Sequence, residues 1–207
     1  MPASQQAGFE FQKIIEKEVF ELTNIDQSYT AKHDIPKDKN KFNNLENISI
    51  KSSGSKTICM GNPLRIFDYP SDEKHTAIGI YYRQDENNKV ITKIVEFSLD
   101  NKMELFGDVT RDEIVNLIKD IKAVPQELTK EELNKHRKVI NDRTKQLNKR
   151  CLLSFNSKID SKSQRRLQCS LTSIPDTILQ YSENGPVVRG VTITNSILSG
   201  TRIRNKK

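Results

Sequence analysis

The 207-residue chain has no tryptophan, only three cysteines and three histidines, and no long uninterrupted apolar run. Nothing in it approaches the roughly 18 consecutive apolar residues of a membrane-spanning helix, and the opening MPASQQAGFEF has no apolar signal core. The sequence therefore reads as a soluble protein of the cytosol or nucleus with no membrane partner. Cys59, Cys151 and Cys169 stand apart with no C-x-x-C pair, which excludes a zinc knuckle or disulfide framework and leaves them as small packing residues. His33, His75 and His136 lack ligand spacing such as H-x-x-x-H, so no structural zinc site is expected. SSGSKT after residue 51 has neither the G-x-x-x-x-G-K-[ST] spacing nor the following helix of a phosphate loop.

Charge is what the chain has in quantity. Hydrophobic residues make up 34% and charged residues 29%, so the core is lean and the surface polar. The net charge of +7 is unevenly placed. Residues 1–125 carry 17 Lys+Arg against 20 Asp+Glu, and residues 126–207 carry 17 against 7, a net of −3 followed by +10. A basic half joined to a near-neutral half suits a phosphate-binding surface, because each neutralised phosphate releases condensed counterions. A solvated lysine-rich face is the plainer reading of the same charge. The division predicted is a core over 1–125 and a basic DNA-binding region over 126–207 packed on it.

Apolar residues at 11, 14, 15, 19 and 22 predict a helix over 7–22, with Glu10, Lys13, Lys17 and Glu21 on a polar stripe. Strands are predicted over 29–35, 47–52 and 56–60, and an antiparallel hairpin over 76–82 and 90–99. Capping boxes at Thr110-x-x-Glu113 and Thr129-x-x-Glu132 open two helices, the second carrying Leu133, Ile140 and Leu147 at seven-residue spacing on a largely basic rod. CLLSF and VVRGVTIT read as strands, and Pro175 after Ser173 as the start of a short helix. The fold class expected is α/β (α+β): a central mixed sheet flanked by helices, with a basic helical and strand appendage.

A helix acid, an aspartate on a strand and a lysine on the next strand form an order used in metal-dependent phosphodiester chemistry. Carboxylates hold Mg²⁺ against the phosphate, and a lysine stabilises the charge that builds on it. In AGFEFQKIIEKEVF, AKHDIP and NISIKSSGSK, roughly residues 7–56, the chain resembles the PD-(D/E)XK nuclease superfamily, and in particular small type II restriction endonucleases. The resemblance implies an αβββαβ core, Mg²⁺ as cofactor, Asp34 as central metal ligand, Lys51 as catalytic lysine and Glu10 as a supporting acid. No proline precedes Asp34, and Ser49 stands where the motif has an acid. Glu10 or Glu46 is the candidate to complete the metal shell, since a hydroxyl is a poor Mg²⁺ ligand.

In that reading Lys138, Arg143 and Lys145 on the rod, with Lys162, Gln164, Arg165, Arg166 and Gln168 beyond it, contact double-stranded DNA. Arginine presents two parallel donors to guanine, and glutamine pairs with adenine. A palindromic target would require a homodimer. The expected activity is sequence-specific, Mg²⁺-dependent hydrolysis of duplex DNA. The alternatives are a non-enzymatic DNA- or RNA-binding protein and a structure-specific nuclease such as a junction resolvase.

Overall fold

A computed structural model describes residues 3–23, 33–86, 88–160 and 164–198, with side chains from residue 8. Helix α1 (Ala3–Ile14) runs into a π-helical turn, Ile15–Val19. There follow β1 (Glu46–Ser53), β2 (Ile58–Gly61), α2 (Pro63–Phe67), β3 (Lys74–Asp85), β4 (Asn88–Ser98), α3 (Lys102–Phe106), α4 (Arg111–Ala123) and α5 (Lys130–Asn148). Beyond them lie β5 (Ser154–Ile159), β6 (Arg165–Leu171), β7 (Leu179–Asn184) and three two-residue strands, β8 (Val187–Val188), β9 (Val191–Thr192) and β10 (Ile197–Leu198). The class is α+β with a central mixed sheet, as the pattern of elements predicts. No helix among the described residues is long and apolar enough to cross a membrane.

The chain forms two compact units: Met1–Ile58 with Pro70–Asp100 and Ser173–Lys207, and Cys59–Tyr69 with Asn101–Thr172. A single cut after residue 125 falls inside the second unit. The linear charge step therefore does not separate the two cores. Recounted by unit, the first carries 17 Lys+Arg against 16 Asp+Glu and the second 17 against 11.

In the first unit β1 lies parallel to β3, β3 pairs antiparallel with β4, and β4 also carries β7 and β10. Alternation along the strands sends Ile48, Ile50, Ile78 and Ile80 to one face, a bulge in β4 opposite Tyr81 and Tyr82 puts both Ile94 and Ile91 on it too, and Phe11, Ile15, Val19 and Phe20 of the first helix cover them. The π-turn is set by a Phe20 amide that reaches the Ile15 carbonyl (3.2 Å), and Glu21 at φ 61° ends the helix. The strand predicted over 29–35 lies mostly outside the described residues, and its end survives as one bridge, Ile35 to Ile48. No helix starts at Pro175: residues 176–178 make a turn into β7. VVRGVTIT is a hairpin, β8 to β9, because Arg189 and Gly190 both take positive φ.

The second unit has a three-stranded sheet in the order β2, β6, β5, against which α4 and α5 pack. Both capping boxes form as their sequences predict, at Thr110 and Thr129. Leu133, Ile140 and Leu147 are all buried within the single chain, so the seven-residue seam is core. Strand β6 lies in the basic stretch that carries the expected DNA contacts; Leu167 and Cys169 alternate inward while Arg166 and Gln168 face out, the period of a half-buried strand. Gly107 (φ 56°) ends α3 where a Cβ would run into the Arg150 carbonyl.

Arg150 joins Asp108 (2.8 Å) and Glu113 (2.7 Å) to the start of α4. The Arg150 hydrogen bond, helped by the Thr110 amide, holds the Glu113 carboxyl down at about 2. A carboxylate with a depressed folded value stabilises above its unfolded value and loses that contribution as the pH falls through the folded one. Arg150→Met is therefore expected to flatten the dependence of the denaturation midpoint on pH between about 4.5 and 2. Unchanged slopes in the two proteins would remove the pair from the acid response. The effect is small, because the pair is open to solvent.

Candidate active site

The bridge between Ile35 and Ile48 places Asp34 at the outer edge of β1. The Asp34 amide donates to the Ile48 carbonyl (2.9 Å), and the Asp34 carboxylate accepts the Ile50 amide at Oδ2 (2.5 Å). Lys51 curls round the same edge, its Nζ 3.1 Å from Asp34 Oδ2 and 3.1 Å from the Ile50 carbonyl. Both side chains are about three-quarters buried. The aspartate and lysine singled out in the sequence are thus brought together on an edge strand. A purely structural role is available to them, since a carboxylate there satisfies an edge amide that the sheet leaves unpaired.

The helix acid at this site is Glu16, which sequence reasoning passed over. It is 8% exposed on the π-turn and accepts a hydrogen bond from Gln12 Nε2 at 2.7 Å. Burial pushes its carboxyl above the usual range; the Gln12 hydrogen bond opposes this, and the Asp34 charge adds to it. Glu16 is therefore within electrostatic reach of Asp34. Glu10, the acid chosen from the sequence, bears instead on Lys89, a buried lysine whose ammonium lies 5.2 Å over the Tyr82 ring. One signal in the sequence pointed to Glu16: with Gln12 it forms an i, i+4 polar pair beside the apolar stripe.

Glu46 is committed elsewhere. Arg189 grips both of its oxygens (2.9 and 3.1 Å), and Thr76 Oγ1 (2.6 Å) and Asn40 Nδ2 (2.9 Å) complete its shell. Burial alone would raise its carboxyl, but the Arg189 and Thr76 hydrogen bonds outweigh this and hold it below the usual range. Arg189 also bonds Glu96 (2.9 Å) and lies over the rings of Phe20 and Phe42. This network is a structural pin. Ser49 is buried on β1 on the same face as Lys51.

Among the described residues no group of three or more His, Cys, Asp or Glu side chains is arranged to hold a metal ion. Mg²⁺ asks less than that, because it keeps several waters and is held by one or two carboxylates plus phosphate oxygens. Asp34 and Glu16 are of the residue type that Mg²⁺ takes, and the Asp34 charge reaches Glu16.

The cations of the second unit divide sharply. Arg165 spends its guanidinium on backbone carbonyls of Val124, Pro125, Asp160 and Gln164. Arg143 pairs with Asp120, and Lys145 lies 3.5 Å from Asp142. Lys138 and Arg166 are exposed and make no ion pair among the described residues; Gln164 is exposed, Gln168 half-buried, and Lys162 lies outside the described residues. Compared with family models, with curated proteins and with solved structures, the chain matches none.

Proposed function

We propose that the chain is a Mg²⁺-dependent endonuclease that hydrolyses phosphodiester bonds in double-stranded DNA at the edge of β1. The observation that carries this reading is the 3.1 Å contact between Lys51 Nζ and Asp34 Oδ2, with the buried Glu16 carboxylate in electrostatic reach. Asp34 and Glu16 are the residues that would hold Mg²⁺, which when bound supplies Lewis-acid charge at the scissile phosphate. Lys51 offers a fixed positive charge where negative charge grows on the phosphoryl oxygens during attack by water. Asp34 orients that ammonium, and its hydrogen bond from Ile50 fixes the carboxylate in turn. A palindromic duplex would be met by two copies of the chain, each supplying one site.

The test is digestion of supercoiled plasmid by the full chain with Mg²⁺ or Mn²⁺, against an EDTA control. Discrete linear fragments are expected. Intact plasmid across divalent metals, from a protein that still binds DNA, would favour a non-enzymatic DNA-binding protein. Buried Ser49 at the motif's acid position supports that second reading.

A further inference from the structure

Strands β5 and β6, the edge and the middle strand of the three-stranded sheet, form an antiparallel ribbon with two unlike faces. Phe155, Ile159, Leu167 and Cys169 are buried on one. On the other, the register sets Lys158 opposite Arg166, Asn156 opposite Gln168 and Ser154 opposite Ser170. That face reads as a ladder of a cation pair, an amide pair and a hydroxyl pair. Lys158, Arg166 and Asn156 are exposed and Gln168 is half-buried.

The cation pair has a cost. Like charges directly opposite one another on two strands destabilise a sheet. Neither Lys158 nor Arg166 makes an ion pair among the described residues, whereas Arg111, Arg143 and Arg150 of the same unit all do. Asp160, the acid at the end of the ribbon, is turned onto the chain, where Oδ1 accepts the Gln164 amide. Two opposed cations, neither in an ion pair among the described residues, stand beside two amide side chains and make a surface complementary to an anion that also offers donors and acceptors.

We infer that the outer face of the β5–β6 ribbon reads base edges in the major groove of double-stranded DNA. The inference deepens the proposed function by naming the surface that selects its substrate. In the major groove of B-form DNA each base pair presents a distinct pattern of donors and acceptors, which side chains on an exposed sheet face can read. The corresponding groove of duplex RNA is too deep and narrow for side chains to read. Arg166 and Lys158 match the O6 and N7 acceptors of guanine, and Gln168 and Asn156 match the N6 donor and N7 acceptor of adenine. Arg165, one residue away, is excluded from this role because its fork already holds the chain together.

The experiment is selection from a pool of random-sequence duplex DNA by the full chain and by Arg166→Ala, Gln168→Ala and Lys138→Ala, each first shown to melt like wild type. Wild type is expected to enrich a motif. Arg166→Ala and Gln168→Ala each lose preference at one position and weaken motif binding about tenfold or more. Lys138→Ala weakens binding evenly across sequences. The inference is overturned if no motif is enriched, if the ribbon variants keep the wild-type motif, if they lose affinity equally for all sequences, or if duplex RNA competes as well as DNA. Asp34→Ala in the same selection separates the two ideas. A retained motif without any wild-type cleavage sinks the proposed function and leaves the ribbon standing, while cleavage with an unaltered motif in the ribbon variants does the reverse.

Discussion

On the proposed function, Glu16→Gln is expected to reduce Mg²⁺-dependent DNA cleavage by about 10- to 100-fold or more while making the folded protein more stable at neutral pH. The two effects share one cause. Burial, reinforced by the Asp34 charge, raises the folded carboxyl of Glu16 above its unfolded value. The folded state then holds the proton longer than the unfolded state, so the penalty is absent below the unfolded value of about 4.3 and grows as the pH rises through the folded one. Glutamine is neutral throughout and keeps an oxygen for Gln12. Denaturation midpoints of wild type and variant should therefore converge near pH 4 and separate in the variant's favour at pH 7. Asp34→Ala is expected to abolish cleavage too, but with the opposite effect on stability, since the Ile50 amide and Lys51 ammonium lose their shared acceptor. Full cleavage by Glu16→Gln would remove Glu16 from the site, and a lower midpoint at pH 7 would refute the burial argument.

Asp34 and Lys51 were legible because they lie on elements whose pattern is local. NISIK alternates at period two, and the approach of Asp34 needs only one bridge to the same strand. Glu16 was not legible, because a π-turn changes the angular phase of a helix. On a regular 3.6-residue repeat the polar stripe ran through Glu10, Lys13, Lys17 and Glu21; the turn at Ile15–Val19 leaves Glu16 buried beside Ile15 and Val19. The network round Glu46 was not legible for a different reason. The glutamate's partner, Arg189, is 143 residues away at the tip of a hairpin, and no local pattern announces a long-range ion pair. The same holds for the basic region. Charge along the sequence counts Arg165 and Arg166 alike, but strand alternation sends one onto backbone carbonyls and the other into solvent.

Arg189→Ala is expected to cost about 3–5 kcal/mol of folding free energy, the range for removing one partner of a buried ion pair. The guanidinium is 15% exposed and is the counter-charge gripping two carboxylates that are 9% and 6% exposed. Glu96 already has one buried oxygen with no hydrogen-bond partner, and burial raises its carboxyl above the usual range. Without Arg189 both glutamates would face burial with no cation, and both would hold protons in the folded state to higher pH. The variant should therefore recover stability as the pH is lowered from 7 to 5, the reverse of ordinary acid denaturation. Arg189→Met combined with Glu46→Gln and Glu96→Gln removes the charges together and is expected to regain more than half of the loss. Denaturant titrations at the two pH values measure both effects. Because Glu46 opens the strand that carries Lys51, a loosened pin should also lower cleavage by wild-type Asp34 and Lys51. A loss under about 1 kcal/mol in Arg189→Ala, the worth of an exposed pair, would show that the network is open to water.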